Sequence, residues 1–146
     1  MRLTGLVLGS IFFILSAGWE TDFDTARQKA RQEHKFILLN FSGSDWCVPC
    51  INLKHEIFDS PAFTDFAGNT LILVNADFPR LKKNQLSKRQ QEKNDQLADK
   101  YNPQGIFPYT ILMDADGKII HYWDGMPKAT AEEFVSEVKT LIHAGN

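Results

Sequence analysis

Hydrophobic and polar residues alternate along this chain in two different rhythms. Three short stretches are almost continuously apolar: residues 36–41 (FILLNF), 71–75 (LILVN) and 109–113 (YTILM). Runs of this length between polar segments predict strands covered on both faces. Residues 118–123 (KIIHYW) predict a further strand, paired back on 109–113 through the turn Ala115-Asp116-Gly117. Other segments carry helical spacing. Residues 20–35 are polar, with Phe23, Ala26 and Ala30 on one side, and predict a surface helix. Residues 83–100 hold few apolar anchors, among them Leu86 and Leu97, and predict a largely solvated helix. Residues 130–143 predict an amphipathic helix capped by Thr130, with Glu133 in the capping-box position and Phe134, Val138, Leu141 and Ile142 facing inward. Between the first two strands a helix is expected from near Cys47 to Phe58, with Pro49 harmless in its first turn. Asp59-Ser60-Pro61 restarts a short helix. The order α-β-α-β-α-β-β-α predicts an α/β fold: a central sheet of about four strands with helices on both faces.

The N-terminus falls outside this pattern. Arg2 precedes an uncharged apolar run at residues 6–15 (LVLGSIFFIL), followed by Ser16-Ala17-Gly18. That reads as a secretory signal peptide over residues 1–18, leaving one domain at 19–146. The alternatives are an uncleaved anchor or a buried first helix. The run is short for a membrane span. The chain has 146 residues and a formal net charge of -2, so there is no basic surplus to attract nucleic acid. Membrane contact is expected only through the signal segment.

The chain's two cysteines are Cys47 and Cys50. A bridge three residues long restrains the unfolded chain weakly, so its expected use is to open and close. Residues i and i+3 share a helix face at a separation a disulfide spans. The first cysteine would meet the free N–H groups of the helix start, which favour the thiolate. The second, one turn deeper, would resolve a mixed disulfide. A zinc site would need two more ligands, and His34, His55, His121 and His143 lack the usual spacing. Copper delivery stays open as an alternative, because paired thiolates suit Cu(I) and His55 shares the helix. Dithiol exchange itself calls for no metal and no cofactor. Trp46, beside the first cysteine, is placed to shield a thiolate and touch substrate.

The stretch Phe41-Ser42-Gly43-Ser44-Asp45-Trp46-Cys47-Val48-Pro49-Cys50 resembles the active-site segment of secreted bacterial thioredoxin-like proteins. Ala76-Asp77-Phe78-Pro79-Arg80 resembles a later stretch of the same family. Residues 101–117 (YNPQGIFPYTILMDADG) resemble its second hallmark, a tyrosine and glycine leading to a cis-proline, a strand and a hairpin turn. The likeness covers roughly residues 20 to 143. It implies a thioredoxin fold and thiol–disulfide exchange, with Cys47 as nucleophile, Cys50 as resolving thiol and Pro108 as the cis-proline beside them. Trp46, Val48, Pro49, Phe107 and Pro108 would contact substrate, the Phe107 backbone by pairing with an extended peptide. Without the resemblance, Pro108 reads as a strand-start proline.

Three features depart from the family. Its buried Asp is matched here by Asn40, which cannot take a proton. Two residues, Ile106 and Phe107, separate Gly105 from Pro108, where one is commoner. The segment between Asp77 and Tyr101 is long, and its early part is basic (Arg80, Lys82, Lys83, Lys88, Arg89); it reads as a solvated helix or as a docking surface for an acidic partner. The expected function is reduction of disulfides in exported proteins, with an upstream thiol reductant system as second partner. A non-enzymatic partner or copper-handling module, or a disulfide oxidase or isomerase, are the alternatives.

Overall fold

The computed structural model describes residues 18–144. The signal-peptide reading of residues 1–18 therefore lies outside them but for Gly18. The elements are β1 (Trp19–Glu20), α1 (Phe23–Glu33), β2 (Phe36–Ser42), α2 (Val48–Leu53), α3 (Pro61–Thr70), β3 (Leu71–Asp77), α4 (Lys88–Tyr101), β4 (Tyr109–Met113), β5 (Ile119–Asp124) and α5 (Ala131–Ala144). Helix α2 runs on into a wider π-helical turn, Lys54–Phe58.

The sheet has five strands, in the order β1-β3-β2-β4-β5, rather than about four. The extra strand is the two-residue β1, parallel to β3 through Trp19 and Leu73 and too short to show a period in sequence. Strands β2 and β3 are parallel, as a helical crossover requires, while β4 and β5 add antiparallel.

The near-continuous apolar runs divide by alternation. Leu38, Leu73 and Leu112 point to one face, where Phe58, Phe63, Trp123, Phe134, Val138 and Ile142 pack on them. Ile37, Leu39, Phe41, Val74 and Ile111 point to the other, against Ala26 and Ala30 of α1 and the flank of α4. Two alanines let α1 lie close on the sheet.

Helix boundaries follow their caps. Helix α1 starts at Phe23, three residues later than its polar run, because Asp22 accepts from the Thr25 N–H at 2.9 Å. Asp22 also pairs with Lys93 of α4, and that hydrogen bond, with the Thr25 N–H, holds its carboxyl down at about 2. The helix expected over 83–100 begins only at Lys88, where Ser87 caps it, and a single 3-10 turn, Lys82–Asn84, precedes it. Thr130 and Glu133 form the anticipated reciprocal capping box at 2.8 and 3.2 Å.

Phe134 is fully buried among Phe58, Phe63 and Trp123. Phe134→Ala should cost about 3–5 kcal/mol in chemical denaturation. A loss under about 1 kcal/mol would show that this face of the sheet does not carry the core.

Candidate active site

Strand β2 ends at Ser42, and five residues later α2 begins with Cys47 as its N-cap. The chain reverses over Gly43–Trp46, with the Trp46 and Cys47 N–H groups donating to the Gly43 carbonyl. Gly43 is required for close approach: a Cβ there would sit 2.3 Å from the Trp46 ring.

Cys47 and Cys50 form a disulfide with their Cα atoms 5.2 Å apart. The Cys50 N–H donates to Cys47 Sγ at 3.3 Å. Both cysteines are almost covered, while Val48 between them is 64% exposed and Pro49 is exposed. The sulfur of Cys47 thus lies at the N-terminal end of α2, where main-chain N–H groups have no intrahelical acceptor and favour negative charge.

Trp46 packs outward from the pair. Its Nε1–H donates to the Phe78 carbonyl at 2.7 Å, and Phe107 meets its ring edge-on at 5.5 Å. Phe78 meets Phe107 in the same way. The Phe107–Pro108 bond is cis, and Pro108 is buried. Tyr109, next in the chain, is paired with Phe41 on β2, so this loop stands at the same sheet end as the cysteines. The Pro108 carbonyl accepts from the Gly125 N–H at 2.9 Å; Phe107 makes no backbone hydrogen bond among the described residues. The structure thus gathers Trp46, Cys47, Val48, Pro49, Cys50, Phe107 and Pro108 at one end of the sheet.

Beneath Cys50 lies a cavity of about 330 Å³ whose walls include Asn40, Asn75, Ser42 and His55. Asn40 donates through Nδ2 to Asn75 Oδ1 at 3.2 Å and accepts from the Thr110 hydroxyl at 3.0 Å. These residues lie directly across from one another on β3, β2 and β4. The floor under the inner cysteine is therefore a neutral, hydrogen-bonded row. His55 is mostly exposed, its Nδ1 3.7 Å from the Asp59 carboxylate.

The stretch after β3 is fastened to the cysteine turn by contacts that the sequence did not reveal. Asp45 accepts from the N–H groups of Arg80 and Leu81, both at 2.9 Å, and from Asn84 at 3.0 Å. The Arg80 N–H, foremost among these donors, holds the Asp45 carboxyl below its usual range. Asp77 accepts from the N–H and hydroxyl of Ser44. The Arg80 guanidinium lies 3.6 Å above the Trp46 ring centroid. Asn75 had a visible signal, since an Asn interrupts each of two apolar runs. The Asp45 contacts had none, because they join residues 35 or more apart.

The thioredoxin-like domain family matches residues 23–142 of this chain. The chain is 38% identical over 124 residues to the disulfide bond reductase DsbH of Chlamydia pneumoniae, covering 85% of this chain and 72% of that protein. It is 28% identical to the thioredoxin-related protein DsbJ of the same organism, over 70% of this chain but 29% of that protein. The solved structure of a DsbH oxidoreductase superposes with a TM-score of 0.78 at 35% identity, covering 96% of this chain and 95% of that one.

The neutral floor yields a test. Asn40→Asp places a carboxyl where burial favours its protonated form. Protonated, it can still donate to Asn75 and accept from Thr110. Its folded-state pKa would lie above the unfolded one, so stability falls as pH rises between the two. The variant should be near native stability at about pH 3 and weaker at pH 7, by about 1.4 kcal/mol per unit of the rise. An equal loss at both pH values, read from denaturation curves, would place Asn40 in contact with solvent.

Proposed function

Because this chain belongs to the thioredoxin-like family, and is a thiol–disulfide oxidoreductase with Cys47 and Cys50 as its redox pair, we propose that it reduces disulfides in exported proteins. One observation carries the direction: the 38% identity to a protein named a disulfide bond reductase, over 85% of this chain. The apolar segment at residues 6–15 behind Arg2 supports export.

The reduced protein starts the cycle. The Cys47 thiolate attacks one sulfur of the substrate disulfide. A Cys47–substrate bond forms, and the other substrate sulfur leaves as a thiolate that takes a proton from solvent. Cys50 then loses its proton and attacks Cys47 Sγ. The Cys47–Cys50 bond forms, the first substrate sulfur leaves, and two electrons have passed to the substrate. The pair returns to the dithiol at the expense of an upstream thiol reductant.

The main-chain N–H at 3.3 Å from Cys47 Sγ and the start of α2 favour the attacking thiolate. The amide of Asn40 cannot act as a base, so the proton of Cys50 passes to solvent in the cavity beneath it. Trp46, Val48 and Pro49 form the rim on which substrate rests, and the buried Pro108 sets the course of the chain at Phe107. The unpaired backbone of Phe107 supplies an N–H and a carbonyl to an extended substrate segment.

Cys50→Ala should arrest the cycle after its first step and accumulate a mixed disulfide through Cys47, seen by mass spectrometry after mixing with a disulfide-bonded protein. In the reduced native protein, Cys47 should titrate below a free thiol, because the free N–H groups at the start of α2 favour its thiolate. Faster alkylation of Cys50 than of Cys47 would reverse the two roles.

A further inference from the structure

The Arg80 side chain has no carboxylate partner among the described residues, although it is exposed beside the redox pair. It rests on the face of Trp46, the residue before Cys47. Next to it opens a groove of about 620 Å³, walled by Trp46, Phe78, Arg80, Gln91 and Phe107 among others. Its aromatic walls suit an apolar side chain, and its rim is cationic. Lys82 and Lys83, also exposed, follow Arg80 in the chain and have no ion-pair partner among the described residues either. Carboxylates around the groove are already engaged: Asp45 by Arg80, Leu81 and Asn84, Asp77 by Ser44, and Asp95 by Gln91 of the groove wall.

The same bonds explain how a surface arginine keeps its place. Asp45 grips the main-chain N–H of Arg80, not its guanidinium, so the position is set by the backbone and the charge is left outward. An arginine plane on an indole keeps its in-plane N–H groups free for a carboxylate.

We infer that this groove selects among the substrates of the reductase proposed above, on which reading the inference rests. Its occupant is an extended segment of the disulfide-bearing substrate, with an apolar side chain in the groove that Trp46, Phe78 and Phe107 line and an acidic side chain on Arg80. The charge complementarity is local, since the whole chain is slightly acidic.

Two peptides with the same internal disulfide and the same apolar neighbour, one flanked by Glu and one by Lys, test this in single-turnover reduction by the fully reduced full-length protein. The ratio of the two rates cancels any effect of Arg80 on the reactivity of the thiolate. At low salt the Glu peptide should react about two- to fivefold faster, the range an exposed ion pair supports. The ratio should shrink towards one in about 0.5 M salt, where the Debye length is a few Å. Arg80→Ala should remove the preference, and Arg80→Glu should reverse it. Both variants keep the Arg80 main-chain N–H on Asp45, and the salt series on the native protein needs no variant. Equal rates for the two peptides, or a preference that survives Arg80→Ala, would overturn the inference and leave the reductase reading standing. Reduction of neither peptide would remove that reading, and the inference with it.

Discussion

Strand β2 is hydrogen-bonded along both edges, in register with β3 from Phe36 to Ser42 and with β4 from Ile37 to Phe41. Its side chains are buried on both faces from Ile37 onward. A strand clamped in this way cannot slide by one residue, since a slip would turn every apolar side chain to the wrong face. The point where it ends is therefore fixed, and so is the turn that carries Cys47. The site is anchored to the end of the central strand, although the cysteines belong to a short helix that alone would be unstable.

From that fixed end the site is assembled by polar contacts of two kinds. Below the inner cysteine, Asn40, Asn75 and Thr110 satisfy one another across three strands, so the sheet ends under α2 without a charge. Above the outer cysteine, the side chains of Asp45 and Asp77 accept from the donors of facing segments. A buried carboxylate in the first place would destabilise a thiolate by repulsion and itself by desolvation. The half-buried ones in the second place act as fasteners and bring Trp46 and Arg80 to the rim.

The parts legible in the sequence were those encoded locally. Three strands showed as apolar runs because both sheet faces are covered, and the Thr130–Glu133 capping box appears in the structure as two hydrogen bonds. The cysteine spacing, with a proline between, marked a helix start. Distant contacts were hidden. Nothing near residue 83 told of Asp45, which holds the chain at Arg80 and Leu81 and so delays helix α4 until Ser87. Strand β1 has only two residues and owes its pairing to β3. Asn40 and Asn75 were visible as interruptions, but their partnership depends on a register that only the folded sheet supplies.

The direction of electron flow follows from the reduction potential of the Cys47–Cys50 pair against that of its partners, and that potential is measured most directly by equilibrating the protein with glutathione buffers and quantifying the dithiol and disulfide forms. A reductase should stand near thioredoxin, at about -270 mV. A value near about -120 mV, that of a strong oxidant whose dithiol form is the stabilised one, would contradict the account.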